Sequence, residues 1–280
     1  MATSDPRLVT LRYTVARARD DWKLSEEPVP EARPHYLTAT LLREILEAWA
    51  QRSGRSMQVG SNLAVRWLEE QPAIGVDPDV YVVSPPPPEG DQVTSLRLWV
   101  PGHVAPLVAV EIVSANHPQK DYLQAPDKYA ASGTKELWVF DPELAGPRMQ
   151  GGPHRLQVWC RDEAGAFTRV YAGPGPVRSG AVGGWLFAVD EGQRLRIADD
   201  ERGSSWWMTQ AEAERTEKEV ERAAKEQERE AKEREREAKE REREAKERER
   251  AAKEREREAK EAALARVTQL EAELARRERG

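Results

Sequence analysis

Residues 107–142 read LVAVEIVSANHPQKDYLQAPDKYAASGTKELWVFDP, and this stretch decides the fold class. It opens on an almost uninterrupted apolar, β-branched run with one carboxylate, Glu111, inside it. Such a run suits a central strand covered on both faces. From about Asp121 to Ser132 the pattern is helical, with Pro126 placed in the first turn or bending the helix. Gly133 closes that helix, and KELWVFDP is a second short buried strand, stopped by Asp141-Pro142.

Upstream, residues 37–54 (LTATLLREILEAWAQRSG) repeat apolar side chains at three-to-four-residue spacing: Leu41, Leu42, Ile45, Leu46 and Trp49. This predicts an amphipathic helix, with Thr38 or Thr40 as its cap and Gly54 as its stop. NLAVRWL (62–68) alternates like a half-buried strand, and VDPDVYVVS (76–84) opens a β-rich run on Pro78-Asp79. SPPPPEGDQ (84–92) interrupts regular structure. Downstream, HRLQVWCRDEAGAFTRVY (154–171) carries two alternating runs joined by Asp-Glu-Ala-Gly, a hairpin signal. The order of helix, strands, helix, strand and hairpin predicts an α/β domain with a mixed central sheet flanked by helices. Residues 1–34, polar and closed by Pro28, Pro30 and Pro34, read as an irregular lead-in to a domain over 35–208.

Residues 209–280 differ in character. They hold 22 Lys and Arg against 23 Asp and Glu, which leaves 22 against 27 for residues 1–208, where all nine Trp lie. From Ala231 the unit AKERERE repeats with one apolar residue per heptad, the alanines 231, 238, 245, 252 and 259. A two-stranded coiled coil needs two large apolar positions per heptad, so the repeat favours a solvated, charged single helix. Pairs four apart, such as Glu230–Arg234, Glu235–Lys239 and Glu237–Arg241, each contribute roughly 0.2–0.5 kcal/mol to such a helix. Thr209 with Glu212 forms a capping-box pattern at its start. Leu264, Val267, Leu270 or Glu271, and Leu274 restore a short apolar stripe, so residues 264–274 are a candidate seam for a homodimer or a partner helix.

A single cysteine, Cys160, excludes an intramolecular disulfide and fits a reducing cytoplasm. The N-terminal residues lack the apolar core of a signal peptide, and no apolar run is long enough to span a membrane. A cytoplasmic protein without membrane contact is therefore expected. His35, His103, His117 and His154 show no zinc-like spacing, and neither a GxxxxGK[ST] phosphate loop nor a GxSxG elbow occurs.

Chemistry is concentrated in carboxylates that a core strand should not contain. Asp79 begins the Val-Tyr-Val-Val strand, and Glu111 lies inside an apolar one. A buried ionised carboxylate without a metal, a cation or a strand-end position costs several kcal/mol. Two acids on neighbouring strands make a hard-oxygen site suited to magnesium, which can activate water and stabilise phosphoryl charge. Asp121 and Lys128, seven apart, fall on one face of the predicted helix, with Tyr129 next to them. From pattern alone, half-exposed acids at a sheet edge and an ordinary Asp-Lys helix ion pair account for the same residues.

Pro78-Asp79-Val-Tyr-Val-Val, Glu111 with Ser114, Asp121, Lys128-Tyr129, Gly133 and Glu136-Leu137-Trp138-Val139-Phe140-Asp141-Pro142 together resemble the bacterial "putative restriction endonuclease" (Uma-two) family. That family is a branch of the PD-(D/E)XK nuclease superfamily, and the resemblance runs over about 35–190. It implies a restriction-endonuclease-like fold, Asp79 and Glu111 as ligands of Mg2+ or Mn2+, and DNA as substrate. The superfamily lysine normally follows two residues after the acid, where this chain has Val113, so the lysine role passes to Lys128, with Lys120 as the weaker candidate. Glu44 on the first helix matches an accessory acid position, Asp77 adds an acid at the strand entrance, and Ser114, Asp121 and Tyr129 are possible supporting residues. The expected activity is metal-dependent hydrolysis of phosphodiester bonds by metal-activated water. The alternative is a nuclease-fold scaffold whose charged helix tethers a partner.

Overall fold

In the computed structural model, residues 33–148 and 152–277 are described. They divide into two units, Met1–Ala213 and Glu214–Gly280. The first contains helix α1 (Arg33–Ser53), strands β1 (Gln58–Gly60), β2 (Ala64–Arg66), β3 (Gly75–Val76), β4 (Val80–Val83), β5 (Ser95–Arg97) and β6 (Val108–Ile112), helix α2 (Ala125–Ser132), and strand β7 (Glu136–Phe140). Strands β8 (Leu156–Arg161), β9 (Phe167–Gly173), β10 (Val177–Arg178), β11 (Trp185–Val189) and β12 (Arg194–Ala198) follow, and helix α3 (Gln210–Arg277) ends the described chain.

Among the described residues the main sheet has six strands in the order β1-β4-β6-β7-β8-β9. Strands β6 and β7 run parallel and sit at its centre, while their outer neighbours β4 and β8 are antiparallel to them. The sheet is therefore mixed, as residues 107–142 predicted. The parallel pair follows from the intervening helix, since a crossover and not a hairpin joins the two strands. There are also two three-stranded sheets, β3-β2-β5, interleaved in sequence with β1, β4 and β6, and β10-β11-β12, which follows β9.

Side chains of β6 alternate between two cores. Val108, Val110 and Ile112 pack with Leu42, Ile45 and Leu46 of α1 and with Trp138 and Phe140 of β7. Ala109 and Val113 pack on the opposite face with Tyr81, Tyr122, Ala125 and Tyr129. Both faces are covered, which is why the strand reads as a continuous apolar run. Glu111 falls on the α2 face. The Glu-x-Trp of β7 faces the other way: Glu136 accepts hydrogen bonds from Trp138 Nε1 at 2.6 Å and from the Ala181 N–H at 3.0 Å, so its buried carboxylate is structural.

Several local expectations shift. Residues 1–32 of the expected lead-in lie outside the described residues, but Arg33 and Pro34 already belong to α1. Proline suits a helix's first turn, where its missing N–H has no partner to lose. Thr38 then lies inside the helix and bonds back to the Pro34 carbonyl at 3.0 Å, so it is not a cap. Gly54 does end α1, at φ 64°. NLAVRWL yields β2, which is buried along its whole length, because the Arg66 guanidinium finds the Val65 and Val76 carbonyls and Asp77. The hairpin of β8 and β9 forms as expected.

The start of α3 carries the predicted capping box: Thr209 N–H donates to Glu212 at 2.9 Å and Glu212 N–H to Thr209 Oγ1 at 3.1 Å. Just before it, Trp207 stacks on Trp49 of α1 with ring centroids 5.5 Å apart. Within α3, Glu230–Arg234, Glu235–Lys239 and Glu237–Arg241 pair at 3.3, 2.5 and 3.5 Å. No helix among the described residues is long and apolar enough to cross a membrane.

Candidate active site

Register brings two acids together. Val80 pairs with Val110 across β4 and β6, so one step further sets Asp79 opposite Glu111. Directly opposed residues point to the same face with Cβ atoms about 5 Å apart. Asp79 is tied to this position by the Ile112 N–H, which donates to its Oδ2 at 2.6 Å. Glu111 is 2 % exposed, and its Oε1 accepts a 2.6 Å hydrogen bond from the Tyr129 hydroxyl of α2.

Asp121 joins the same pocket, also 2 % exposed. It lies on a π-helical turn, Lys120–Gln124, that leads directly into α2. The Ala125 N–H bonds back to the Lys120 carbonyl, five residues earlier. Pro126 accounts for this widening, since it has no N–H to offer the carbonyl four residues before it. The resulting shift in helical register corrects one expectation. Asp121 and Lys128 do not share a helix face as an ion pair; the cation beside Asp121 is Lys120.

Lys120 Nζ stands 3.6 Å from Glu111 Oε2 and 3.4 Å from Asp121 Oδ1. Those two oxygens are buried and accept no hydrogen bond. Lys128 is half-buried on α2 and forms no ion pair or hydrogen bond among the described residues. The reason is angular: Tyr129 faces the sheet, and the residue before it is turned about 100° around the helix. Glu44 is exposed on α1, which covers the other face of the sheet, so it stands apart from this cluster. Asp77 is turned to Arg66 at 3.0 Å. Ser114 lends its backbone N–H to Asp121. His117 is exposed in the turn between them.

The electrostatics follow from burial and crowding. Burial first, then Asp79 and Asp121, pushes the Glu111 carboxyl well above the usual carboxylate range, against the pull of Lys120 and Tyr129. Asp121 is also raised by burial, with Asp79 adding to it and Lys120 opposing. For Lys120, partial burial disfavours the ammonium, but Glu111, Asp121 and Asp79 outweigh it and raise its pKa. Burial and the neighbouring Glu111 push the Tyr129 phenol far up, so it remains a donor.

Tyr129→Phe removes that donor and leaves Glu111 Oε1 buried without a partner, at a cost of about 1–3 kcal/mol. Urea denaturation should show a larger loss at about pH 8, where Glu111 is more ionised, than at about pH 4. Equal stability of variant and parent at both pH values would refute the role of this bond.

Two further residues were beyond sequence reasoning or nearly so. His35, in the first turn of α1, places Nε2 3.1 Å from Asp79 Oδ1, although its spacing matches no metal motif. Asp141 uses both oxygens to hold the chain: Oδ1 accepts the Ala145 N–H, and Oδ2 accepts the Gly146 N–H and the Tyr122 hydroxyl, each at 2.8–2.9 Å. This anchors the π-turn to the end of β7.

The donors suit a hard divalent cation. Among the described residues no three His, Cys, Asp or Glu side chains form a ready-made ligand group. Magnesium, however, needs only one or two carboxylates and keeps several waters. Asp79 and Glu111 are two carboxylates on one face, and Glu111 Oε2, which accepts no hydrogen bond, lies 3.6 Å from the Lys120 ammonium.

Residues 23–152 match the Uma2 family model, described as "Putative restriction endonuclease". No curated protein matches the chain. Among solved structures, a putative nuclease from Anabaena variabilis aligns at 16% identity and a TM-score of 0.38, covering 57% of this chain and 79% of that one.

Proposed function

We propose that residues 23–152, which match the Uma2 family model, belong to a domain that hydrolyses phosphodiester bonds of DNA with Mg2+ or Mn2+ held by Asp79 and Glu111. The observation that supports this most is the pairing of two strand acids on one face with a lysine ammonium 3.6 Å from the inner one. A bound divalent ion there would lower the pKa of a water and offset charge on the scissile phosphate. Asp79 and Glu111 would hold the ion, and Tyr129 keeps Glu111 oriented through its hydroxyl. In this reading Lys120, the weaker of the two lysines expected from the sequence, would meet the charge that develops on the phosphoryl oxygens, because it stands 3.6 Å from Glu111. Its side chain is 55% exposed, so it can turn from the carboxylates to an arriving phosphate. Residues 1–208 are acidic overall, so binding of the DNA backbone depends on such local cations.

The direct test is incubation of the purified chain with linear duplex DNA. Cleavage should appear with Mg2+ or Mn2+ and vanish with a chelator. Absence of cleavage on duplex and single-stranded DNA with either ion would sink the proposal.

One observation favours a second role for α3. Leu264, Val267 and Leu270 are 70%, 51% and 48% exposed on a helix otherwise surrounded by charge. A second copy of the chain would cover them. Sedimentation velocity should then show a dimer for the full chain and a monomer for the triple substitution Leu264→Lys, Val267→Lys, Leu270→Lys. Identical sedimentation of the two would dispose of the seam.

A further inference from the structure

His35 links the two sides of the sheet. It belongs to the first turn of α1, whose apolar face packs against Val110 and Ile112 on the side away from Glu111. Yet its Nε2 stands 3.1 Å from Asp79 Oδ1, with both side chains largely covered, at 16% and 12% exposed. The other oxygen of Asp79 is held by the Ile112 N–H. The carboxylate is thus set between the backbone of β6 on one oxygen and an imidazole of α1 on the other. The Ile112 N–H fixes one oxygen by a hydrogen bond, and the imidazole stands at ion-pair distance from the other.

We propose that His35 is a positioning residue for Asp79, holding the carboxylate in the orientation that lets it share a divalent cation with Glu111. This rests on the reading of Asp79 and Glu111 as the cation-holding pair. It gives α1 a part in the site that Glu44, the acid expected there, does not take. An imidazole beside a ligating carboxylate acts through that carboxylate, and loss of such a partner typically weakens metal affinity 10–100-fold. The geometry also predicts which substitution rescues. Glutamine extends an amide nitrogen to about the reach of Nε2, whereas alanine leaves Asp79 held by one oxygen only.

The experiment uses the full chain and Mn2+ alone. Parent, His35→Ala and His35→Gln are titrated with Mn2+, the free ion being read by electron paramagnetic resonance. Thermal midpoints are recorded without metal. His35→Ala should bind Mn2+ about tenfold more weakly, and His35→Gln should recover most of the affinity. Equal Mn2+ affinity in parent and His35→Ala overturns the inference. Equal weakening in both variants with a lowered midpoint makes His35 a packing residue, and overturns it as well. A parent that takes up no Mn2+ removes the cation-holding pair itself, and this inference falls with it. The two failures are therefore told apart by the parent alone.

Discussion

Glu111→Gln is expected to abolish DNA cleavage while making the metal-free protein more stable at alkaline pH. The two effects share one cause. Glu111 is buried beside Asp79 and Asp121, and its carboxyl is held well above the ordinary range. A group whose folded pKa is raised stabilises the fold fully below its unfolded pKa. It loses that contribution as pH rises through the folded value. As pH rises, the parent is increasingly driven to hold an ionised carboxylate in a crowded acidic pocket, which glutamine never does. Glutamine keeps the shape and can still accept the Tyr129 hydrogen bond. The variant's thermal midpoint should exceed the parent's at about pH 8, each kcal/mol being worth about 2–4 °C in a domain of this size. The difference should disappear near pH 4. Cleavage should fall on the order of 100-fold or more, because the cation loses a charged ligand. Addition of Mg2+ should stabilise the parent and leave the variant unchanged. A variant that cleaves like the parent removes Glu111 from the reaction, and a variant less stable at pH 8 than at pH 4 relative to parent contradicts the electrostatics. Asp79→Asn should lose cleavage to a similar extent.

The second large effect separates two lysines. Lys120→Ala should lower the rate on the order of 100–1,000-fold, the loss that follows removal of one electrostatic stabiliser aimed at developing charge. Lys128→Ala should lose far less, since Lys128 contacts none of the acids. Lys120 also offsets charge in the resting pocket, at 3.6 and 3.4 Å from Glu111 and Asp121. Its loss should therefore raise the Glu111 carboxyl further and reduce stability at high pH. The decisive readout is single-turnover cleavage at saturating Mn2+, which removes differences in metal affinity. A greater loss in Lys128→Ala than in Lys120→Ala would return the role to Lys128.

Much of this was legible in one dimension. A period of 3.6 residues marked α1, continuous apolar runs marked β6 and β7, and Asp-Glu-Ala-Gly marked the hairpin. Each signal is local, because burial of one face leaves a periodic trace in the chain. The capping box and the charge pairs of α3 are local as well, lying three or four residues apart. Asp79 and Glu111 were visible as acids out of place in apolar strands.

What escaped was set by register and by faces. Nothing in the sequence states that α1 covers the far side of the sheet, and this alone separates Glu44 from the acids and brings His35 to Asp79. Spacing of seven suggested that Asp121 and Lys128 share a face, but the π-turn before Pro126 broke the helical count and gave Asp121 to Lys120. The amino-acid sequence by itself marked α1, α2, α3, the two central strands and the β8–β9 hairpin and showed which carboxylates are anomalous, but left β1, β5 and β10–β12 unmarked. The tertiary structure decided which of those groups meet, because contacts across strands and between helix and sheet depend on registers that leave no periodic mark in the chain.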